Sequence, residues 1–176
     1  QKEQVVSMVQ TLSDFFRASL NSGKDIVSLE GECRHITSYL QIQQVRYQDI
    51  LTYDVDIPEE IANCKIPKIT LQPLVENALY HGIKNKRGKG RIVVTGRREK
   101  DKCVIRVEDN GIGMTKERLN QVRGGLTTKI EDSNDFYGLY NVNERIRLKF
   151  GEGYGLSIDS VLQEGTCVEV WLPWES

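Results

Sequence analysis

The spacing of apolar residues changes at about residue 50, and that change limits what the chain can fold into. Before it, Val5, Val9, Leu12, Phe16 and Ser19 follow one another in steps of four and three, the seam of a helix that packs on a partner helix. This spacing predicts a helix over 4–20, broken by NSGKD at 21–25. A second seam, Leu29, Cys33, Ile36, Leu40, Gln43 and Tyr47, predicts a helix from Leu29 to Asp49 with Ser28 as its N-cap. Two seamed helices joined by a short turn make an antiparallel hairpin. Such a hairpin buries little alone and is expected to pair with a second copy as a four-helix bundle.

Beyond residue 50 the pattern alternates. LTYDVDI (51–57) reads as a strand, and GRIVVTGR and CVIRVED read as a hairpin around EKDK (99–102). Two final strands, about 154–162 and 166–172, flank the turn QEG (163–165). Helices are expected over about 70–84, 116–123 and 139–150, with a polar, glycine-bearing stretch at 124–138. Pro73 fits the first of these at its third position if Thr70 is the N-cap, because that N–H has no helical partner anyway. The fold class is therefore α+β: a helical hairpin over 1–49, then a mixed sheet with helices over 50–176.

Composition removes several classes of function. Lys plus Arg (24) nearly cancels Asp plus Glu (25), so no global field points to nucleic acid or an acidic membrane. Apolar runs of a few residues are too short to span a bilayer. The four cysteines, Cys33, Cys64, Cys103 and Cys167, are far apart, and with two histidines they argue against a zinc site. Reduced thiols in a cytoplasmic compartment are expected. The polar helical opening QKEQVVSMVQ, with no signal peptide, reads as a piece of something longer.

Four short stretches carry chemistry. In LVENALYHGIKN (74–85), Leu74, Val75, Ala78 and Leu79 make one buried stripe, while Asn77 and His81 share another face at i and i+4. An amide oxygen suits Mg²⁺ already held by phosphates, and the adjacent Glu76 carboxylate could orient or deprotonate an attacking group. The alternative is ordinary polar exposure. In VEDNGIGM (107–114), Asp109 at a strand end could accept a hydrogen bond from an adenine amino group, with glycines allowing close backbone approach; the alternative is a plain D-N-G turn. In YGLYNV (137–142), Gly138 precedes a helix start, where unpaired N–H groups suit phosphate. In EGTCVEVWLP (164–173), Gly165-Thr166 opens a strand. The cationic run KNKRGKGR (84–91) lacks interleaved aromatics and reads as a solvated connection, except that Lys84, seven residues after Asn77, can share its face. His35, in ECRHITSYL, lies off the seam and is expected exposed. No carboxylate follows it to polarise it as a phosphoacceptor.

The order of these stretches, ENALYHG, DNGIGM, a polar stretch, YGL at a helix start, then GT opening a strand, resembles the GHKL superfamily of ATP-binding domains. With LSDFFRASL (12–20), SYLQIQQVRY (38–47) and IPKITLQPLVENALYHG (66–82), the whole chain is similar to LytS/YesM-type sensor histidine kinases. The resemblance implies a Bergerat-type α/β sandwich over 50–176, a mixed sheet of about five strands with three main helices on one face. Residues 1–49 would be part of the dimerisation and phosphotransfer hairpin. It further implies a cytoplasmic fragment of a membrane sensor, reaching the membrane only through a missing N-terminal part. The partners implied are a response regulator and a second copy of the chain.

By the same resemblance ATP and Mg²⁺ are the cofactors. Asn77 would meet Mg²⁺ on the triphosphate, Glu76 would orient the attacking imidazole, and His81 would contact phosphate or Mg²⁺-bound water. Asp109 would bind the adenine amino group, with Gly111, Ile112, Gly113 and Met114 shaping the pocket and Thr166 supporting Asp109 through a water. Gly138 and Leu139 would close the phosphate side, and 124–137 would be a lid that moves when empty. The γ-phosphoryl would pass to a histidine and thence to a regulator aspartate. The family's acceptor motif, expected upstream of LSDFFR, does not occur in this chain. Phe136-Tyr137 replaces part of a glycine-rich box, and Gly31 stands where a Glu commonly completes a capping box. The other readings are a different GHKL ATPase or anti-sigma-type serine kinase, and a non-catalytic dimerisation and relay module.

Overall fold

The structure is a computed structural model that describes residues 2–19, 25–128 and 137–174. Helix α1 spans Lys2–Ser19 and packs beside α2, Leu29–Arg46. Strands β2 (Leu51–Asp56), β4 (Gly90–Glu99), β5 (Lys102–Asp109), β6 (Gly155–Val161) and β7 (Gly165–Pro173) form one sheet in the order β2-β4-β5-β7-β6. Only the β2–β4 pair is parallel, so the sheet is mixed as expected. A two-stranded ladder that the sequence pattern did not announce joins β1 (Ile26–Ser28) to β3 (Lys65–Pro67). Helix α3 is Leu71–Asn77, α4 is Lys116–Gly125 and α5 is Tyr137–Phe150.

Alternation along the strands gives the sheet one apolar face. Ile92, Val94, Ile105, Val170 and Leu172 are buried there with Leu29, Ile36 and Leu40 of α2, Leu71, Leu74 and Val75 of α3, and Val142 and Ile146 of α5. The opposite face carries Arg97, Glu99 and Glu169, joined by ion pairs. Helix α2 thus shares one core with the sheet.

Ser28 caps α2, accepting the Gly31 N–H at 3.2 Å, as expected. Thr70 does not cap α3. Its hydroxyl donates to the Pro67 carbonyl, and its backbone is already helical. The Glu32 carboxylate, reaching across from α2, accepts instead from the N–H groups of Ile69, Thr70 and Leu71 at 2.8, 3.0 and 3.1 Å. A buried charge aimed at a helix N-terminus makes stronger hydrogen bonds than a hydroxyl.

Two expectations about the helical part are corrected. The α1 seam does not face α2: Val5, Val9, Leu12 and Phe16 are exposed, while Thr11 is buried and Phe15 is packed inward. The Ser19 side chain lies outside the described residues. His35 is not exposed but only 4% accessible. Helix α2 is covered on two sides, so a residue off its sheet-facing stripe meets α1, and Phe15 stacks on the imidazole with centroids 4.7 Å apart.

The expected helix over 70–84 is also different. It is α-helical only to Asn77 and continues as a π turn, Ala78–Ile83. π turns recur at functional sites because the extra residue re-aims the backbone, and here the turn is seated against the end of β5.

Candidate functional site

Strand β5 ends at Asp109, and the turn after it is tied on three sides. Asn110 accepts the Arg91 N–H at 2.7 Å, the Ile112 N–H donates to the Gly82 carbonyl at 3.2 Å, and the Ile112 carbonyl accepts from Gln163 N–H at 2.7 Å. The π turn, the DNG turn and the β6–β7 hairpin are therefore one assembly. Glycine is required at four of its positions: Gly113 and Gly165 combine a positive φ with backbone oxygens where a Cβ would stand, and Gly82 and Gly111 approach the Asp109 turn closely. A Cβ on Gly82 would come within 2.5 Å of Asp109 Oδ1, and one on Gly111 would collide with the Gly82 backbone.

The Asp109 carboxylate sits beneath this contact. Its Oδ1 accepts the Gly111 N–H at 2.8 Å. Burial pushes the carboxyl up to about 6, opposed by the Gly111 and Thr166 backbone N–H groups and the Lys86 charge. Above it opens a cavity of about 370 Å³ whose wall includes Asn77, His81, Asp109, Ile112, Gly113 and Met114. Thr166 and Leu139 line it too, with apolar side chains from Val107, Ile158 and Val168 on the sheet. A concave, mainly apolar pocket of this size with one half-buried acid suits a flat heteroaromatic ring carrying an amino group.

Not every expected residue meets this cavity. Lys84 does not: its Nζ lies over the Tyr80 ring, 5.6 Å from the centroid. Gly138 stands at the start of α5 beside the Pro73 side chain rather than on the wall. Glu76 is not on the wall; its Oε1 accepts from Gln72 Nε2, four residues earlier on α3, at 2.9 Å. Thr166 is on the wall, its hydroxyl hydrogen-bonded to that of Ser160 at 2.9 Å and its backbone N–H directed at the Asp109 carboxylate. The expected lid falls largely on 129–136, outside the described residues.

Other wall residues were not anticipated: Gly82, Asn85, Thr115 and Arg118. Asn85 had a signal, since it follows His81 by four; its side-chain amide donates to the Tyr80 and His81 carbonyls and closes the π turn. Thr115 caps α4 through the Arg118 N–H at 3.2 Å.

Among the described residues no cluster of His, Cys, Asp or Glu could hold a metal by itself. Asn77 offers a single neutral oxygen. That donor set suits a Mg²⁺ ion that arrives on phosphates and keeps its waters, and does not suit a resident one.

Residues 67–176 match the family of histidine kinase-, DNA gyrase B- and HSP90-like ATPases, and residues 1–51 match a histidine kinase family. The chain is 36% identical over 174 residues to the sensor histidine kinase YesM of Bacillus subtilis, covering 98% of this chain and 28% of YesM. It is 34% identical over 172 residues to the sensor histidine kinase BtsS of Escherichia coli, covering 98% of this chain and 28% of BtsS. It therefore spans little more than a quarter of these relatives. The catalytic domain of histidine kinase ThkA superposes with a TM-score of 0.62 at 11% identity, covering 84% of this chain and 95% of ThkA's domain. The histidine kinase domain of the blue-light-activated kinase of Erythrobacter litoralis superposes at 0.60 with 14% identity, covering 94% and 72%. These likenesses show the same fold.

Proposed function

Because the chain belongs to the family of histidine kinase-, DNA gyrase B- and HSP90-like ATPases, we propose that it is the ATP-binding kinase core of a two-component sensor histidine kinase. The half-buried Asp109 carboxylate at the floor of a mainly apolar cavity carries this reading. Asp109 accepts from the adenine amino group, and Ile112, Met114, Leu139 and Ile158 enclose the ring. Asn77 and His81 face the phosphates, Asn77 as the protein oxygen on Mg²⁺. Charge neutralisation and positioning supply most of the catalysis in phosphoryl transfer. Glu76, next to Asn77 but off the cavity wall, meets the acceptor imidazole and orients it.

The acceptor histidine lies outside this chain, and the phosphoryl group passes onward to a response-regulator aspartate. The exposed stripe of Val5, Val9, Leu12 and Phe16 on α1 supports pairing with a second copy. The functional division falls at about residues 49–50, where the histidine kinase family match over 1–51 ends, with α2 packed on the core of the ATP-binding part. No described helix is long and apolar enough to cross a membrane, and attachment to one belongs to the part of the protein beyond this chain.

Calorimetric titration of Mg-ATP into the chain and into Asp109→Asn tests the reading. Binding by the parent and its loss in the variant support it. Equal binding places the nucleotide elsewhere. No binding by the parent favours a signal-relay module, and steady turnover with no histidine acceptor favours a different ATPase.

A further inference from the structure

Three polar side chains outside the nucleotide cavity form a line that ends on Glu76. His35 Nε2 lies 2.6 Å from Gln72 Oε1, and Gln72 Nε2 donates to Glu76 Oε1 at 2.9 Å. The polarity of the line follows from its end. A carboxylate only accepts, so the Gln72 amide presents its NH₂ to Glu76 and its oxygen to His35. His35 Nε2 must then carry the proton, and Nδ1, buried without a partner, is the bare nitrogen of that tautomer. Phe15 of α1 stacks on the ring at an interplanar angle of 16°.

A Gln–Glu pair at i, i+4 is common on helix surfaces and weak by itself. Here the amide is gripped from a second helix by a buried histidine, which fixes which way it faces. Tyr39, itself beside Tyr80 and Tyr47, is a titratable group close to Glu76: burial raises its hydroxyl first, and the Glu76 charge raises it further. The amide engages Oε1 and leaves Oε2 to meet an approaching imidazole.

We infer that Gln72 and His35 are positioning residues for phosphoryl transfer, holding the Glu76 carboxylate in the one orientation that meets the acceptor. This rests on the reading of Glu76 as the group that orients the acceptor imidazole. A carboxylate released from the line samples other rotamers, and a misplaced catalytic group slows transfer by about tenfold or more.

The test uses the full-length kinase, with two readouts: the autophosphorylation rate at saturating Mg-ATP, and the Mg-ATP dissociation constant. Gln72→Leu is expected to slow transfer about tenfold and leave the dissociation constant within about twofold. In a Glu76→Gln background it is expected to add nothing. His35→Asn is expected to be slow, and His35→Gln to recover rate, because the Gln amide nitrogen sits where Nε2 was. This second pair carries the test if Gln72→Leu fails to fold. Normal rates for Gln72→Leu alongside a slow Glu76→Gln overturn the positioning role and leave the kinase reading standing. Proportional loss of nucleotide binding in Gln72→Leu also overturns it, since that marks damage to α3. A Glu76→Gln enzyme at the parent rate overturns the underlying reading of Glu76 instead.

Discussion

The Cα of Gly82 lies against the Asp109 carboxylate so closely that a methyl group there would fall 2.5 Å from Oδ1. The π turn and the end of β5 meet at this point, and the cavity floor depends on it. Gly82→Ala is expected to push the two apart and weaken Mg-ATP binding at least about tenfold, with most of the fold's stability retained. Calorimetry alongside thermal unfolding separates the two effects. Binding within twofold of the parent would show that the contact does not set the floor.

The ionisation of Asp109 gives a pH dependence with a definite sign. Its carboxyl stands at about 6 in the folded chain against an ordinary 3.8. The protonated form is therefore favoured by folding. Its contribution to stability is fullest below the unfolded value and is eroded as pH rises through about 6. Nucleoside binding runs the other way, because a ring amino group needs the ionised acceptor. Adenosine affinity is expected to fall about tenfold per pH unit below 6 and to level off above 7. An affinity that rises on acidification would contradict the assignment of Asp109 to the amino group.

Glu32 gathers three consecutive backbone N–H groups at the start of α3. Glu32→Ala would leave buried donors unpaired and is expected to cost about 3 kcal/mol, a fall in Tm of about 6–12 °C for a chain of this size. Glu32→Gln keeps an acceptor and is expected to lose about half as much. A differential scanning measurement within 1 °C of the parent for Glu32→Ala (about 0.3 kcal/mol) would refute this role.

Ile69 has a φ of 57°, a left-handed conformation that a β-branched residue rarely adopts. Arg145 of α5 holds it there, donating to the Lys68 carbonyl at 2.8 Å and the Ile69 carbonyl at 2.7 Å. Arg145→Leu is expected to destabilise the chain by about 1–2 kcal/mol. The loss is expected to shrink when Ile69 is also glycine, which takes this conformation without strain. Equal losses in both backgrounds, measured by urea unfolding, would show that Arg145 does not hold the strained turn.

Much of this was legible in the sequence, and the exceptions share a cause. The strands were readable because alternate residues such as Ile92 and Val94 face one core, and α2 because Leu29, Ile36 and Leu40 follow helical spacing. Asp109 was readable because acid, amide and glycines fall together at a strand end. Lys84 was misplaced because seven residues make two turns only if the helix stays α, and the π turn rotates it away. The capping role of Glu32 joins residues 37 to 39 positions apart, which no local pattern contains. His35 was misplaced because a single seam describes a helix with one partner, and α2 has two.

The π turn makes chain length itself a specified quantity of the site. Between Asn77 and Lys84 the segment holds one residue more than α-helical hydrogen bonding would need. Removing any single residue there would restore the regular ladder and carry Gly82 off the Asp109 carboxylate. Outside His81 and Gly82, substitutions can drift in this stretch while insertions and deletions cannot, so among related chains it should behave as a ruler, varying in some letters but never in count.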